Sequence, residues 1–147
     1  MDKKYAAFLC YSHAADAALS AAVRDALQQL AKPWHRRRAL RVFRDDSSLA
    51  ANEALWPSIQ AAMDTSRYFI LLASPEAAAS PWVAREISYW LDHNPPGTLL
   101  IAVTSGELHW DAARQDFDRE RTTCIPDVLF GRRTEEPRWV DLRGLPA

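Results

Sequence analysis

Tyr68-Phe69-Ile70-Leu71-Leu72-Ala73, followed from position 80 by Ser80-Pro81-Trp82-Val83-Ala84-Arg85-Glu86-Ile87-Ser88-Tyr89-Trp90-Leu91, reads as a buried strand leading into an amphipathic helix. The first run is continuously apolar rather than alternating, as expected for a parallel strand covered on both faces. Ser80 supplies an N-cap oxygen, and Pro81 suits the first helical position. At about 100° per residue from Trp82, Glu86 falls at roughly 40°, Trp90 at 80°, Val83 at 100° and Ile87 at 140°, with Tyr89 at 340°. Arg85, Ser88 and Asp92 take the opposite side. Glu86 is therefore a carboxylate inside an apolar arc. An acid there carries a desolvation cost unless it meets a partner or a ligand, which marks it as a candidate reactive group. The alternative is a structural pairing with an arginine such as Arg44 or Arg67.

Outward from this unit, strand-like and helical patterns alternate along the chain, the signature of a parallel α/β sheet. Tyr5 to Tyr11 is almost continuously apolar and reads as a central strand. Leu19, Val23, Leu27 and Leu30 form a helical stripe ended by Pro33. Leu40-Arg41-Val42-Phe43 alternates once, consistent with a second strand nearer an edge. Leu55, Ile59 and Met63 give a second helix, with Pro57 tolerable in its first turn. Leu99 to Val103 reads as a fourth strand and Trp139 to Leu142 as a short fifth. Ser105 to Pro137 reads as a long polar connection anchored by Trp110 and Phe117. Right-handed crossovers then give a flavodoxin-like, doubly wound, five-stranded parallel sheet in order 2-1-3-4-5, with helices on both faces. Ligands in such sheets bind beyond the carboxyl ends of the strands, at the switch point between strands one and three. Ser12-His13 follows strand one, and Glu86 lies in the second turn of the helix after strand three, so it is expected to face that crevice.

The 147 residues suit a single domain spanning positions 1–147 with a proper core. A formal net charge of −1 provides no global field for nucleic acid or a membrane surface. Cys10 and Cys124 are far apart with no CxxC, which argues for a reducing compartment and against a disulfide framework or a zinc site. The apolar run after Met1-Asp2-Lys3-Lys4 is too short for a signal peptide or a membrane span, so the expected location is cytoplasmic. The loop-like Arg143-Gly144-Leu145-Pro146-Ala147 is consistent with a cut between domains of something longer.

Other users of this sheet order fail on the residues. A phosphoacceptor receiver needs an acidic pair after strand one and an Asp ending strand three; these places hold Tyr11-Ser12-His13 and Ala73-Ser74-Pro75. A phosphate-cradling loop needs glycines after strand one, and none are present. No GxSxG nucleophile elbow exists, so a hydrolase triad is not indicated. The basic run Lys32, His35-Arg36-Arg37-Arg38, Arg41 reads as a solvated rim at this net charge. Arg44 differs, because it ends strand two beside the crevice and opens the loop Arg44-Asp45-Asp46-Ser47-Ser48, in a position where loops are more often functional.

These residues together resemble a TIR (Toll/interleukin-1 receptor-like) domain of bacterial type over nearly the whole chain. Tyr5-Ala6-Ala7-Phe8-Leu9-Cys10-Tyr11-Ser12 resembles the first box of that family. Leu40-Arg41-Val42-Phe43-Arg44-Asp45, followed by Leu55-x-x-x-Ile59, resembles the second box and its BB loop. Ser80-x-Trp82-x-x-x-Glu86 resembles the third-helix motif, whose glutamate is catalytic in NAD⁺-cleaving members. Ala6 replaces the usual acid of the first box. The BB loop lacks the Pro-Gly of many receptors, which leans away from adaptor signalling. Asn52 stands where many members carry Gly, and Asn tolerates positive φ better than other side chains.

The resemblance implies an NAD⁺ nucleosidase of bacterial defence signalling, with NAD⁺ as substrate and no cofactor or metal. Glu86 would be the catalytic carboxylate. Tyr11, Phe43 or Trp82 would stack on the nicotinamide or exclude water, Ser12 and Arg44 would hold phosphate or ribose, and His13 would sit at the switch point. The products would be nicotinamide with ADP-ribose or a cyclic ADP-ribose. It also implies self-association through the BB loop residues Asp45, Asp46, Ser47, Ser48, Leu49 and Asn52. The competing reading is an interaction module without catalysis. Release of nicotinamide from NAD⁺ at high protein concentration separates the two.

Overall fold

Phe8, Leu9 and Cys10 have no exposed surface, because β1 (Tyr5–Cys10) is an interior strand of a parallel sheet, paired on both edges. The structure is a computed structural model that describes residues 5–12, 16, 18–23, 25, 42–44, 53–132 and 136–144. The described strands are β1, β2 (Val42–Arg44), β3 (Ser66–Ala73), β4 (Leu99–Val103), β5 (Trp110–Asp111), β6 (Asp116–Phe117) and β7 (Trp139–Asp141). Residues 16, 18–23 and 25 are helical (α1), followed by α2 (Trp56–Asp64), α3 (Pro75–Ala79) and α4 (Pro81–His93). The main sheet runs β2-β1-β3-β4-β7, all pairs parallel, and β5-β6 form a separate antiparallel pair. The expected order 2-1-3-4-5 is this order, with β7 as the fifth strand of the sheet. Phe8 lies beside Phe43 on one side and Phe69 on the other, and Ile101 beside Leu71 and Trp139.

Alternation along the strands divides the interior in two. Phe8, Cys10, Phe69, Leu71, Leu99 and Ile101 point to the face where Ile59 and Met63 of α2 and Val83, Ile87 and Trp90 of α4 pack. Leu9, Tyr11, Leu72 and Ala102 share the other face, with Val23 of α1 against them. Phe69 is central to the first cluster, 5.5 Å from Phe8 and 5.6 Å from Trp90 by ring centroids. The buried Trp90 indole keeps its N–H satisfied by donating to Thr98 Oγ1 at 2.9 Å. Among the described residues, no helix is long and apolar enough to cross a membrane.

Three sequence expectations need correction. β3 begins at Ser66 rather than Tyr68, because the parallel ladder to β1 already pairs Tyr5 with Ser66. Its first half is not buried on both faces, since Tyr68 is 46% exposed. A short helix, α3, separates β3 from α4. The stretch from 105 to 137 is more than a polar connection: Leu108, Phe117, Cys124, Ile125 and Leu129 are buried in the α4-side core. Trp110 and Phe130 meet Phe117 edge-on, at 5.2 and 6.2 Å, which closes the β5–β6 pair onto that core. Gly106, where the chain turns away from β4, has φ +86°, and a Cβ there would lie 3.1 Å from Pro75 Cδ and 2.9 Å from Thr123 Oγ1. Only a glycine fits that turn without displacement.

Candidate active site

Two Ser-Pro dipeptides carry the chain from the sheet into the helix that bears Glu86. Ser74 Oγ accepts from Ala77 N–H at 3.0 Å and opens α3 with Pro75 at its start. Ser80 Oγ accepts from Val83 N–H at 3.2 Å and opens α4 with Pro81. Each cap satisfies an amide that the first helical turn would otherwise leave without an acceptor. At its other end, α4 is closed by Asn94, whose Nδ2 donates to Trp90 O at 3.1 Å.

This start sets the rotation of α4. Val83, Glu86, Ile87 and Trp90 form its buried side, the arc expected from the sequence. Glu86 is 1% exposed, as deeply buried as the leucines and isoleucines around it. A carboxylate held there in ionised form acts through a medium of low polarity, where its field on a neighbouring charge is far larger than in water.

A row of aromatic rings runs along the neighbouring side of α4. Trp82, one turn before Glu86, is half-buried and meets Trp56 edge-on at 5.7 Å and 79°. Trp56 also meets Tyr89 edge-on at 5.9 Å and 85°. The Arg85 guanidinium lies 4.0 Å from the Trp56 ring centroid and 5.6 Å from that of Trp82. His93 extends the row by stacking on Tyr89 at 4.2 Å.

At the carboxyl ends of the strands, polar groups gather. Ser12 is 8% exposed, and its carbonyl accepts from Asp16 N–H at 2.8 Å, starting α1. Asp16 is itself buried, with Oδ2 accepting no hydrogen bond. Burial pushes its carboxyl above the usual range, while the nearby Thr104 and Ser74 hydroxyls pull the other way. Ser12, Ser74 and Thr104 follow β1, β3 and β4, so Asp16 sits where the ends of three strands converge.

Glu86 and Trp82 thus share one side of α4, and Ser12 lies at the carboxyl end of β1. Tyr11 packs with Leu9 and Leu72 on the α1 side, so the sheet separates it from the α4-side cluster. Phe43 and Arg44 are placed by register alone, opposite Phe8 and Leu9. Arg67 is exposed on β3. His13 and the loop residues Asp45, Asp46, Ser47, Ser48, Leu49 and Asn52 lie outside the described residues. Trp56 was not singled out from the sequence; a tryptophan directly before Pro57 at a helix start was the available signal, since aromatics of that size seldom go without a packing partner.

A sequence profile described as TIR domain matches residues 7–145. A relative from an Actinoplanes species, named NAD(+) hydrolase ApTIR, is 57% identical over 140 residues, covering 95% of this chain. Those residues make up 19% of that protein, so the chain spans about a fifth of the length of the relative it matches. The profile runs from β1 through β7, across both core clusters and the α4 helix that carries Glu86: the chain belongs to the TIR domain family.

Proposed function

We propose that this domain is an NAD⁺ nucleosidase in which Glu86 is the catalytic carboxylate. The observation that carries the reading is a glutamate 1% exposed on the core side of α4, in a chain 57% identical to a protein named as an NAD(+) hydrolase. The bond that breaks is the glycosidic bond between ribose C1′ and the pyridinium nitrogen. Its electron pair leaves with nicotinamide, which departs neutral, so no general acid is required and one carboxylate suffices. Positive charge then develops on the sugar as an oxocarbenium ion. Glu86, ionised, stabilises that charge and holds the ribose hydroxyls. Attack by water, with loss of a proton, gives ADP-ribose; attack by the adenine end gives a cyclic ADP-ribose.

Trp82 lies one helical turn from Glu86 and is the proposed stacking surface. Ser12, His13, Phe43 and Arg44, from the carboxyl ends of β1 and β2, are the proposed contacts to ribose and phosphates, with Tyr11 beneath them. NAD⁺ enters as substrate, and the proposal includes no cofactor or metal. Self-association through Asp45, Asp46, Ser47, Ser48, Leu49 and Asn52, a role in bacterial defence signalling and a cytoplasmic location belong to the same proposal. The location is supported by Cys10 and Cys124, both buried and neither in a disulfide, as suits a reducing compartment.

A carboxylate about 4 Å from the developing charge, at an effective dielectric of roughly 20, contributes about 4 kcal/mol, or about 10³ in rate. The test is nicotinamide release from NAD⁺ by the purified domain, clustered on a surface or at high concentration. Wild type releases nicotinamide, and Glu86→Gln loses about a thousandfold or more with an unchanged circular dichroism spectrum. Full activity in a folded Glu86→Ala protein refutes the assignment. No release by wild type under clustering favours an interaction module without catalysis.

A further inference from the structure

Trp56 is the first residue of α2, on a different element from Glu86, yet it packs along the ridge of Trp82, Arg85 and Tyr89 that flanks that glutamate on α4. It touches Trp82, four residues before Glu86, at 5.7 Å, and Tyr89, three residues after it, at 5.9 Å, both edge-on. The residue directly before Glu86, Arg85, lays its guanidinium 4.0 Å from the Trp56 ring centroid. Three contacts, from Trp82, Arg85 and Tyr89 along about two turns of α4, restrain the orientation of the indole plane. Edge-to-face pairs and cation–π contacts each favour one relative orientation of the groups. The restraint runs both ways: Trp56 also fixes the Trp82 ring and the rotation of α4 at that turn. The far end of α2 is fastened to the same helix, since Tyr89 Oη donates to Asp64 Oδ1 at 2.8 Å. α2 therefore meets α4 at both of its own ends, and Tyr89, one turn after Glu86, takes part in both attachments.

We infer that Trp56 is a positioning residue for the proposed NAD⁺ cleavage: it holds the Trp82 ring and the Glu86 turn in the orientation the reaction needs, without touching substrate. This rests on the nucleosidase reading above. Such a residue acts on the step in which charge develops, where a displacement of an ångström is costly, more than on ground-state binding.

The experiment measures kcat and KM for nicotinamide release, together with thermal midpoint, for wild type, Trp56→Ala, Trp56→Phe and Arg85→Met. Trp56→Ala lowers kcat about tenfold with KM within about threefold of wild type. Trp56→Phe keeps a ring edge for Trp82 and Tyr89 and restores kcat to within about threefold. Arg85→Met loosens one of the three contacts and lowers kcat by a few-fold without lowering the midpoint. If Trp56→Ala does not fold, the other two variants decide. Wild-type kcat in folded Trp56→Ala, or in both Trp56→Phe and Arg85→Met when the alanine variant is unfolded, overturns the inference and leaves the nucleosidase reading intact. A kcat that falls only in proportion to the folded fraction overturns it as well. No turnover by wild type under clustering overturns the nucleosidase reading, and this inference with it.

Discussion

The Tyr89 hydroxyl donates a 2.8 Å hydrogen bond to Oδ1 of Asp64, joining the last residue of α2 to the third turn of α4. Burial and that bond together push the Tyr89 hydroxyl up to about 12. The folded form holds its proton more tightly than the unfolded chain. The contribution to stability is therefore complete below pH 10, the ordinary tyrosine value, and is lost as pH rises through about 12. Tyr89→Phe is expected to cost about 0.5–1 kcal/mol at pH 7, at the low end for a hydrogen bond because the site is open to water. It also removes this part of the alkaline limb of the stability curve. Urea titrations of both proteins at pH 7, 10 and 11 check it; parallel curves at all three would contradict the bond's contribution.

Gly106 has the geometry least able to accept a side chain. Its φ of +86° disfavours any L residue, and the new Cβ would meet Thr123 Oγ1 at 2.9 Å and Pro75 Cδ at 3.1 Å. Gly106→Ala should cost about 2–3 kcal/mol from the backbone term and the displaced neighbours. Differential scanning calorimetry reads this as a fall in midpoint of several degrees. A loss smaller than that of an alanine at Gly97, where nothing lies within 4 Å of the added Cβ, would show that the turn relaxes freely.

Asp16 should make the fold less stable as the solution becomes more basic. Its carboxyl is raised by burial, so the native protein binds that proton more tightly than the unfolded chain. Stability is then highest with the group protonated and falls as pH rises from the usual carboxylate range through the raised value. Asp16→Asn keeps the shape and removes the charge, and is expected to raise the thermal midpoint at pH 7 by a few degrees, the scale of about 1 kcal/mol. Its midpoint between pH 4 and 7 should vary less than that of wild type. A variant less stable than wild type at pH 7 would mean the ionised form is stabilised where it sits.

Both cysteines should be inert in the native protein. Cys10 and Cys124 form no disulfide and have no exposed surface, and burial pushes the Cys124 thiol up to about 11. At pH 8 only about one molecule in a thousand would carry the Cys124 thiolate, the reactive form. An aromatic disulfide reagent should therefore release colour at the rate of unfolding, and rapidly only in denaturant. Fast labelling of folded protein at pH 8 would place one thiol within reach of solvent.

Much of this was legible in the chain. Leu99 to Val103 emerges as the fourth strand with the expected bounds, because a five-residue apolar run after a loop with Pro95, Pro96 and Gly97 leaves little choice. Ser80 and Pro81 mark the start of α4 for a local reason that packing does not override. The Glu86 arc followed from helical spacing alone. What escaped notice is short or cooperative. α3 has only five residues, Pro75–Ala79, too few for a periodic pattern. β5 and β6 have two residues each, and they exist because Trp110, Phe117 and Phe130 pack together, which no window of sequence displays. Trp56 became informative only once α2 lay across α4.

The interior position of β1, between β2 and β3, has a consequence for synthesis. Phe8 is translated before both of its neighbours in the sheet, Phe43 and Phe69. At about 5–20 residues per second, the ~60 residues between Phe8 and Phe69 keep this apolar segment waiting for roughly 3–12 s on the ribosome. During that interval Tyr5–Cys10 is a sticky nascent peptide whose β3-facing edge stays open, the kind of segment that chaperones bind. Slowing translation after β1 should therefore raise the insoluble fraction, and codon changes downstream of β3 should matter far less.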